Sequence, residues 1–132
     1  MTEASDKICV LDDDDSVRSS IKHLLDSDGL TAQTFERGDD FLAHATGHKV
    51  ALAILDVWLP DSSGLVIQGR LHEVSPDTRV IIMTGRERPG VRDAAMTAGA
   101  FAFLVKPFND EIFIATVRRA LRPEASYGPK VP

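Results

Sequence analysis

Five short apolar runs alternate with five stretches of helical periodicity, and this alternation is the feature that most limits the fold. The runs lie at residues 8–11, 30–35, 50–55, 79–83 and 101–105. The first, third and fourth are almost continuous in Val, Ile, Leu and Ala, which is typical of strands covered on both faces of a parallel sheet. The second run alternates more, and this predicts a more exposed strand.

The stretches between these runs carry the spacing of amphipathic helices. The first has apolar residues at i, i+4, i+7 and i+8, namely Val17, Ile21, Leu24 and Leu25. Gly29 is its predicted C-cap. Further helices are predicted at 41–45, closed by Gly47, and at 65–74, 91–98 and 112–121. Repeated βα units predict an open α/β sheet with helices on both faces and right-handed crossovers.

Length, charge and cysteine content narrow the class of protein. With 132 residues, 43% of them hydrophobic and 27% charged, the chain fits one compact domain with its own core. No apolar run approaches the roughly 18 residues that a membrane span needs, so we expect no membrane partner. The single cysteine, Cys9, excludes an internal disulfide and favours a cytoplasmic location. The net charge of -5 argues against a nucleic-acid-binding surface.

Polar side chains stand where four of the predicted strands end. Asp12 and Asp13 end the first strand, Asp56 ends the third, Thr84 ends the fourth and Lys106 ends the fifth. Because the carboxyl ends of parallel strands share one edge of the sheet, we expect these side chains to converge on one pocket. That pocket would hold three carboxylates, one hydroxyl and one ammonium group.

The three predicted carboxylates would repel one another, and a hard divalent cation such as Mg²⁺ relieves that repulsion. A carboxylate flanked by such an ion and a lysine is suited to be the nucleophile of phosphoryl transfer. A run of aspartates after a strand is also typical of a helix N-terminus, and we favour this second interpretation for Asp14 and Asp15. For Asp12 and Asp13, taken alone, both interpretations stay open.

Four segments of the chain together resemble a known family. They read ICVLDDDDSVR, LAILDVWLPDSSGL, VIIMTGRE and AGAFAFLVKPF. From about Lys7 to Leu121 the chain resembles the receiver domain of bacterial two-component response regulators, and its pattern is most similar to receivers that precede helix-turn-helix output domains. The resemblance implies a flavodoxin-like (βα)5 fold, doubly wound, with five parallel strands in the order 2-1-3-4-5. It assigns residues 1–122 to the receiver domain and 123–132 to a flexible C-terminal tail or the start of a linker.

The resemblance also implies a role for each charged residue of the predicted pocket. Asp56 matches the aspartate that accepts a phosphoryl group from a histidine kinase or a phosphotransfer protein. Asp12, Asp13 and Asp56 match the carboxylates that hold Mg²⁺ (or Mn²⁺), with Asp13 favoured as a direct ligand. The backbone carbonyl of Trp58 matches a further metal ligand. Lys106 matches the lysine that contacts the phosphoryl oxygens.

Other positions match the residues that switch or shape the site in this family. Thr84 matches a hydroxyl that moves toward the phosphoryl group. Phe103 matches an aromatic ring that turns inward behind it, with a static core ring as the alternative. The Lys106–Pro107 bond matches a peptide bond that is cis, and Gly64 matches a glycine that shapes the loop after the third strand.

The implied function is a phosphorylation-controlled signalling module rather than an enzyme with a separate substrate. We expect only self-directed phosphotransfer and autodephosphorylation. Phosphorylation would switch the face built from the fourth helix, fifth strand and fifth helix, which would act by homodimerisation or on an output domain or partner outside this chain. The kinase would contact the first helix at Val17, Arg18 and Ile21.

Trp58 and Arg86 form the predicted rim of the site. The resemblance implies that Trp58 stands beside the path of a water that attacks phosphorylated Asp56. Its indole therefore either screens the acyl phosphate and slows hydrolysis, or forms part of a partner-docking surface. Arg86, two residues after Thr84, is the companion position. No metal-ligand spacing relates the four histidines, His23, His44, His48 and His72.

Three other functions fit the same topology less well. A phosphatase of the haloacid dehalogenase type usually carries a second Asp two residues after its nucleophile, where this chain has Trp58. A flavodoxin-like cofactor binder needs a first loop rich in amide and hydroxyl donors, where this chain has four aspartates. A degenerate receiver would lack functional residues that are all present here. The sequence leaves open the cognate kinase, the signal, the output, the oligomeric state, the phosphorylated lifetime, and whether the chain is a whole protein or an N-terminal domain.

Overall fold

The computed structural model describes residues 7–60 and 62–122, so the predicted tail at 123–132 lies outside the described residues. Strands and helices alternate as β1 (Ile8–Leu11), α1 (Asp15–Ser27), β2 (Ala32–Phe35), α2 (Gly38–Gly47), β3 (Leu52–Asp56), α3 (Gly64–Val74), β4 (Arg79–Thr84), α4 (Val91–Thr97), β5 (Ala102–Val105) and α5 (Asp110–Leu121). The strands form one parallel sheet in the order β2-β1-β3-β4-β5, which confirms the predicted topology. Within the described ranges, no helix is long and apolar enough to cross a membrane.

The sheet separates two apolar layers, because alternate residues of each strand face opposite sides. Cys9 and Leu11 of β1 face the layer that contains Phe41 of α2 and Ile67 of α3. Ile8 and Val10 face the other layer, whose helical members are Ile21, Leu25, Phe113, Val117 and Ala120. Every residue of β1 and β3 is buried, as expected of strands covered on both faces. The edge strand β2 is partly exposed, which confirms the prediction from its alternating pattern.

Strand β2 begins two residues later than the sequence pattern predicts. Gly29 has a φ of 80°, a left-handed conformation that glycine adopts without strain, and it directly follows Asp28, the C-cap of α1. The N–H of Leu30 then donates to the carbonyl of Leu25 at 2.9 Å. Leu30 therefore completes the end of the helix and is not part of the strand, and Gly29 lies one position beyond its predicted cap position.

Other boundaries also shift by a few residues. Strand β3 begins at Leu52 rather than at residue 50, because the carbonyl of Val50 accepts the Thr78 hydroxyl at 2.7 Å instead of a ladder donor. The same strand ends at Asp56 and β4 ends at Thr84, as predicted for both polar residues. Helix α2 is longer than the predicted 41–45, and Gly47 is its last residue. Helix α4 ends at Thr97, one residue before the predicted end.

Candidate functional site

Three carboxylates meet at the carboxyl edge of the sheet. Leu11 of β1 is paired with Leu55 of β3, so Asp12 and Asp56 follow paired residues on adjacent strands. Asp12 is 1% exposed and Asp56 is 5% exposed, whereas Asp13 is exposed. One carboxylate oxygen from each of the three residues lies within 4.8 Å of the others. The predicted acidic cluster therefore forms, with two of its members buried.

Lys106 reaches this cluster from β5, two strands away from β3. Its Nζ donates to Asp12 Oδ2 at 2.9 Å and lies 3.5 Å from Asp56 Oδ1. Burial acts to lower the pKa of Lys106, but the hydrogen bond to Asp12 and the charges of Asp56 and Asp12 outweigh it, and the pKa is raised. Lys106 therefore stays protonated, and its positive charge lies next to Asp12 and Asp56.

Asp56 is a buried carboxylate whose Oδ1 forms an ion pair with Lys106 at 3.5 Å. Its Oδ1 is buried and accepts no hydrogen bond from the described residues. Burial, followed by the charge of Asp12, raises the pKa of Asp56 to about 6, against the opposing effect of Lys106. A buried acceptor without a donor is destabilised, and it gains free energy when an electrophile or a cation takes its lone pair.

The remaining aspartates of the run start helix α1. Asp14 is the N-cap, and its Oδ1 accepts from the backbone N–H of Ser16 at 2.9 Å and of Val17 at 3.1 Å. The side-chain hydrogen bond from Ser16 and these backbone donors hold the pKa of Asp14 below its ordinary value. Asp15 lies in the first turn and pairs with Arg18. The helix-start interpretation of Asp14 and Asp15 is therefore confirmed.

The donor set of the cluster fits a hard divalent cation. The ligand atoms available from Asp12, Asp13 and Asp56 are all carboxylate oxygens, which Mg²⁺ and Mn²⁺ prefer. The buried Oδ1 of Asp56, which accepts no hydrogen bond from the described residues, is an acceptor that such an ion would satisfy. None of the four histidines joins a metal-binding group within the described part of the chain. The Trp58 carbonyl stays a predicted ligand.

Gly64 holds the loop after β3 tightly against the backbone of Asp56. Its N–H donates to the carbonyl of Val57 at 2.8 Å. A Cβ at this position would lie 2.2 Å from the carbonyl oxygen of Asp56. Only glycine permits this approach, so the loop geometry that sequence comparison implied for Gly64 has a direct steric cause.

Thr84 is the last residue of β4, and Phe103 lies in β5. Thr84 is 0% exposed, and its hydroxyl donates to the Arg86 carbonyl at 2.8 Å and accepts from the Arg86 N–H at 3.1 Å. Phe103 is 8% exposed and packs in the apolar layer below α4, with the Arg92 guanidinium 4.6 Å from its ring centroid. The Lys106–Pro107 bond is cis, as the resemblance implied.

Trp58 and Arg86 contact each other at the mouth of the site. The indole N–H of Trp58 donates to the Arg86 carbonyl at 2.8 Å, and the Arg86 guanidinium lies 5.4 Å from the ring centroid. Both residues line a cleft of about 270 Å³, together with Asp13, Asp56 and Lys106. Sequence reasoning named both rim residues but missed the contact between them. The acceptor is a backbone carbonyl, and no residue type signals its position.

One predicted contact surface needs correction. Ile21 is 4% exposed and belongs to the apolar layer on the α1 side of the sheet, so it is not available to a kinase. Ile21 and Leu25, one helical turn apart, are the two members of the stripe that are buried against the sheet. Val17 and Arg18 are half-buried and remain within reach of a partner.

Known proteins match the chain over most of its length. The TodT response regulator protein of Pseudomonas putida is 32% identical over 122 residues, which cover 92% of this chain and 54% of TodT. This chain therefore spans about half the length of that curated relative.

Solved structures of response regulator receiver domains share the fold of this chain. The solution structure of the beryllofluoride-activated NtrC4 receiver domain dimer matches with a TM-score of 0.82 and 32% identity, covering 86% of this chain and 94% of that one. A response regulator protein from Burkholderia pseudomallei, crystallised with a phosphorylated aspartic acid, calcium ion and citrate, matches with a TM-score of 0.77 and 27% identity, covering 89% and 67%. The family model of the response regulator receiver domain matches residues 8–118. The chain belongs to the response regulator receiver domain family.

Proposed function

We propose that Asp56 of this receiver domain accepts a phosphoryl group from a histidine kinase or a phosphotransfer protein in a Mg²⁺-dependent reaction. The observation that carries the proposal is the buried Oδ1 of Asp56, which has no hydrogen-bond donor in the described residues and faces the Lys106 ammonium at 3.5 Å. At neutral pH a carboxyl with a pKa of about 6 is mostly ionised and therefore nucleophilic.

The transfer itself needs only positioning and charge compensation. An Asp56 oxygen forms a bond to phosphorus, the bond between phosphorus and the donor's imidazole nitrogen breaks, and that nitrogen keeps the electron pair and takes up a proton. Lys106 offsets the charge on the phosphoryl oxygens. Asp12, Asp13 and Asp56 would hold Mg²⁺ or Mn²⁺, with the Trp58 carbonyl as a further ligand, and the bound ion would supply additional positive charge at those oxygens.

Only two chemical events follow from this site. They are the transfer onto Asp56 and the later hydrolysis of the acyl phosphate by water. Asp12, Asp13, Asp56 and Lys106, which line the cleft at the mouth of the site, are already assigned to the phosphoryl group and the metal ion. We therefore propose that the domain is a phosphoacceptor rather than an enzyme that turns over a separate substrate.

The phosphorylated state would differ from the present one through Thr84 and Phe103. The Thr84 hydroxyl is bonded to Arg86 here, and a phosphoryl group would offer it three strong acceptors. Its movement would open space above Phe103, whose ring lies under α4, and so bias the face formed by α4, β5 and α5. That face would act by homodimerisation or on an output domain or partner. The dimer described for the NtrC4 receiver supports the first route by analogy.

The fluorescence of Trp58, the single tryptophan of the chain, tests the metal-dependent part of the proposal. Mg²⁺ should change its emission, and beryllofluoride should change it further only when Mg²⁺ is present. In an Asp56→Asn variant that keeps the native circular dichroism, the beryllofluoride response should be lost. Equal beryllofluoride titrations for the native chain and this variant would refute the role of Asp56.

A further inference from the structure

One carbonyl oxygen at the mouth of the site accepts two hydrogen bonds from different parts of the chain. The Arg86 carbonyl accepts the Thr84 hydroxyl at 2.8 Å and the Trp58 indole N–H at 2.8 Å. A carbonyl oxygen has two lone pairs, so both are engaged. Trp58 follows β3 and Arg86 follows β4, so this oxygen joins the two loops that border Asp56.

The Thr84 hydroxyl cannot serve this carbonyl and a phosphoryl group at once. A hydroxyl has one proton to donate, and Thr84 donates it to Arg86. The N–H of Arg86 also donates back to Thr84 Oγ1 at 3.1 Å, which closes a compact ring. The bond to Arg86 and a bond to phosphorylated Asp56 are therefore mutually exclusive. Anything that fixes the Arg86 peptide favours the first of them.

Trp58 is well placed to fix that peptide. Its neighbour Val57 donates to the Met83 carbonyl at 3.0 Å, and the close approach of Gly64 to Asp56 packs the rest of the loop. From this anchored backbone the indole makes its hydrogen bond to Arg86 while the guanidinium lies 5.4 Å from its ring. Trp58 is 37% exposed, so the restraint comes from these two contacts with Arg86 and not from burial of the ring.

We propose that the Trp58 indole N–H is a positioning group that restrains switching. It holds the Arg86 carbonyl where that carbonyl accepts the Thr84 hydroxyl. It therefore disfavours the conformation in which Thr84 binds a phosphoryl group on Asp56. The inference rests on the proposed function, since it concerns how readily the same site is occupied. It differs from screening of the acyl phosphate, because screening depends on the bulk of the ring and this restraint depends on its N–H.

The test is a beryllofluoride titration at fixed Mg²⁺ of the native chain and of a Trp58→Phe variant. Amide NMR spectra monitor the titration and give the concentration that half-saturates each protein. Phe keeps an aromatic ring beside Arg86 but removes the N–H donor together with part of the ring bulk, and a Thr84→Val background separates the two losses. Loss of one net hydrogen bond from the restrained state should tighten the apparent affinity by about 2- to 10-fold. An unchanged or weakened affinity would overturn the inference.

The same Trp58→Phe substitution, made in a Thr84→Val variant, separates a restraint on Thr84 from a general structural effect. Thr84→Val keeps the shape of the side chain without its hydroxyl, so Trp58→Phe should change the affinity in the native background and not in the Thr84→Val background. Equal changes in both backgrounds would also overturn the inference. An Arg86→Ala variant removes the guanidinium and keeps the carbonyl, and it should change the affinity less than Trp58→Phe does.

Failure of the proposed function would be recognised separately. If the native chain shows no Mg²⁺-dependent binding of beryllofluoride, the phosphoacceptor proposal is refuted together with this inference. If the native chain binds and the Trp58→Phe variant binds equally well, only the inference is refuted.

Discussion

Replacement of Gly64 by alanine tests whether the close approach of α3 to the end of β3 sets the geometry of Asp56. The added Cβ would lie 2.2 Å from the Asp56 carbonyl oxygen, 2.9 Å from its carbonyl carbon and 3.1 Å from Val57 Cα. All three are backbone atoms, so no side-chain rotation relieves the contact. The loop must move by about 0.8 Å for the shortest distance to reach the 3.0 Å below which Cβ contacts are essentially never found.

The size of the effect follows from that displacement. Overpacking of this kind costs about 1–3 kcal/mol of the free energy of unfolding. A misplacement of about 1 Å at a reacting group costs roughly 100-fold in rate. We therefore expect Gly64→Ala to lower the free energy of unfolding by about 1–3 kcal/mol in urea titrations. The rate of phosphorylation by acetyl phosphate, measured by intact mass spectrometry, should fall by about two orders of magnitude.

Two other glycines serve as matched controls for Gly64→Ala. A Cβ on Gly69, in the same helix, meets nothing within 4 Å, so Gly69→Ala should stabilise the helix by about 0.5–1 kcal/mol and leave the rate unchanged. A Cβ on Gly38 would lie 2.5 Å from Ile67 Cδ1, the movable end of a side chain, so its cost should be intermediate. A Gly64→Ala variant with native stability and native phosphorylation rate would refute the steric reasoning.

The further predictions concern three single residues. Asn109 is the N-cap of α5 and accepts from the Ile112 N–H at 3.0 Å, so Asn109→Ala should cost about 1 kcal/mol in urea unfolding, while Asn109→Asp should retain the cap. Burial raises the pKa of the Cys9 thiol from 9.0 to about 11, so a disulfide reagent at pH 8 should modify only the unfolded chain. Because the folded-state pKa is the higher one, Cys9 should reduce stability only as the pH rises above about 9. If the Trp58 ring screens the acyl phosphate, Trp58→Asn should shorten the lifetime of phosphorylated Asp56, and an unchanged lifetime would contradict screening.

The position of the site could be predicted because it depends on topology. In a parallel sheet the residues that end β1, β3, β4 and β5 meet at one edge, whatever the details of packing. The convergence of Asp12, Asp56 and Lys106 therefore follows from where the apolar runs end. The same reasoning left Asp12 undecided between a helix start and a ligand, and its burial beside Lys106 became visible only in the structure.

The remaining details depend on contacts that carry no sequence signal. Leu30 has strand-like neighbours but completes the end of α1 through its own N–H, a choice that local backbone geometry decides. Ile21 was placed on the kinase surface because a stripe gives the apolar side of a helix but not which members are fully covered. The Trp58–Arg86 contact joins two loops through a backbone oxygen, which every residue type possesses.

The central claim is that Asp56 is a metal-dependent phosphoacceptor, and the intact mass after incubation with acetyl phosphate tests it most directly. The native chain should gain the mass of one phosphoryl group when Mg²⁺ is present and none when the ion is chelated. An Asp56→Ala variant that retains the native fold should gain none under either condition. An adduct that persists in this variant, or one that forms equally well without a divalent cation, would contradict the account.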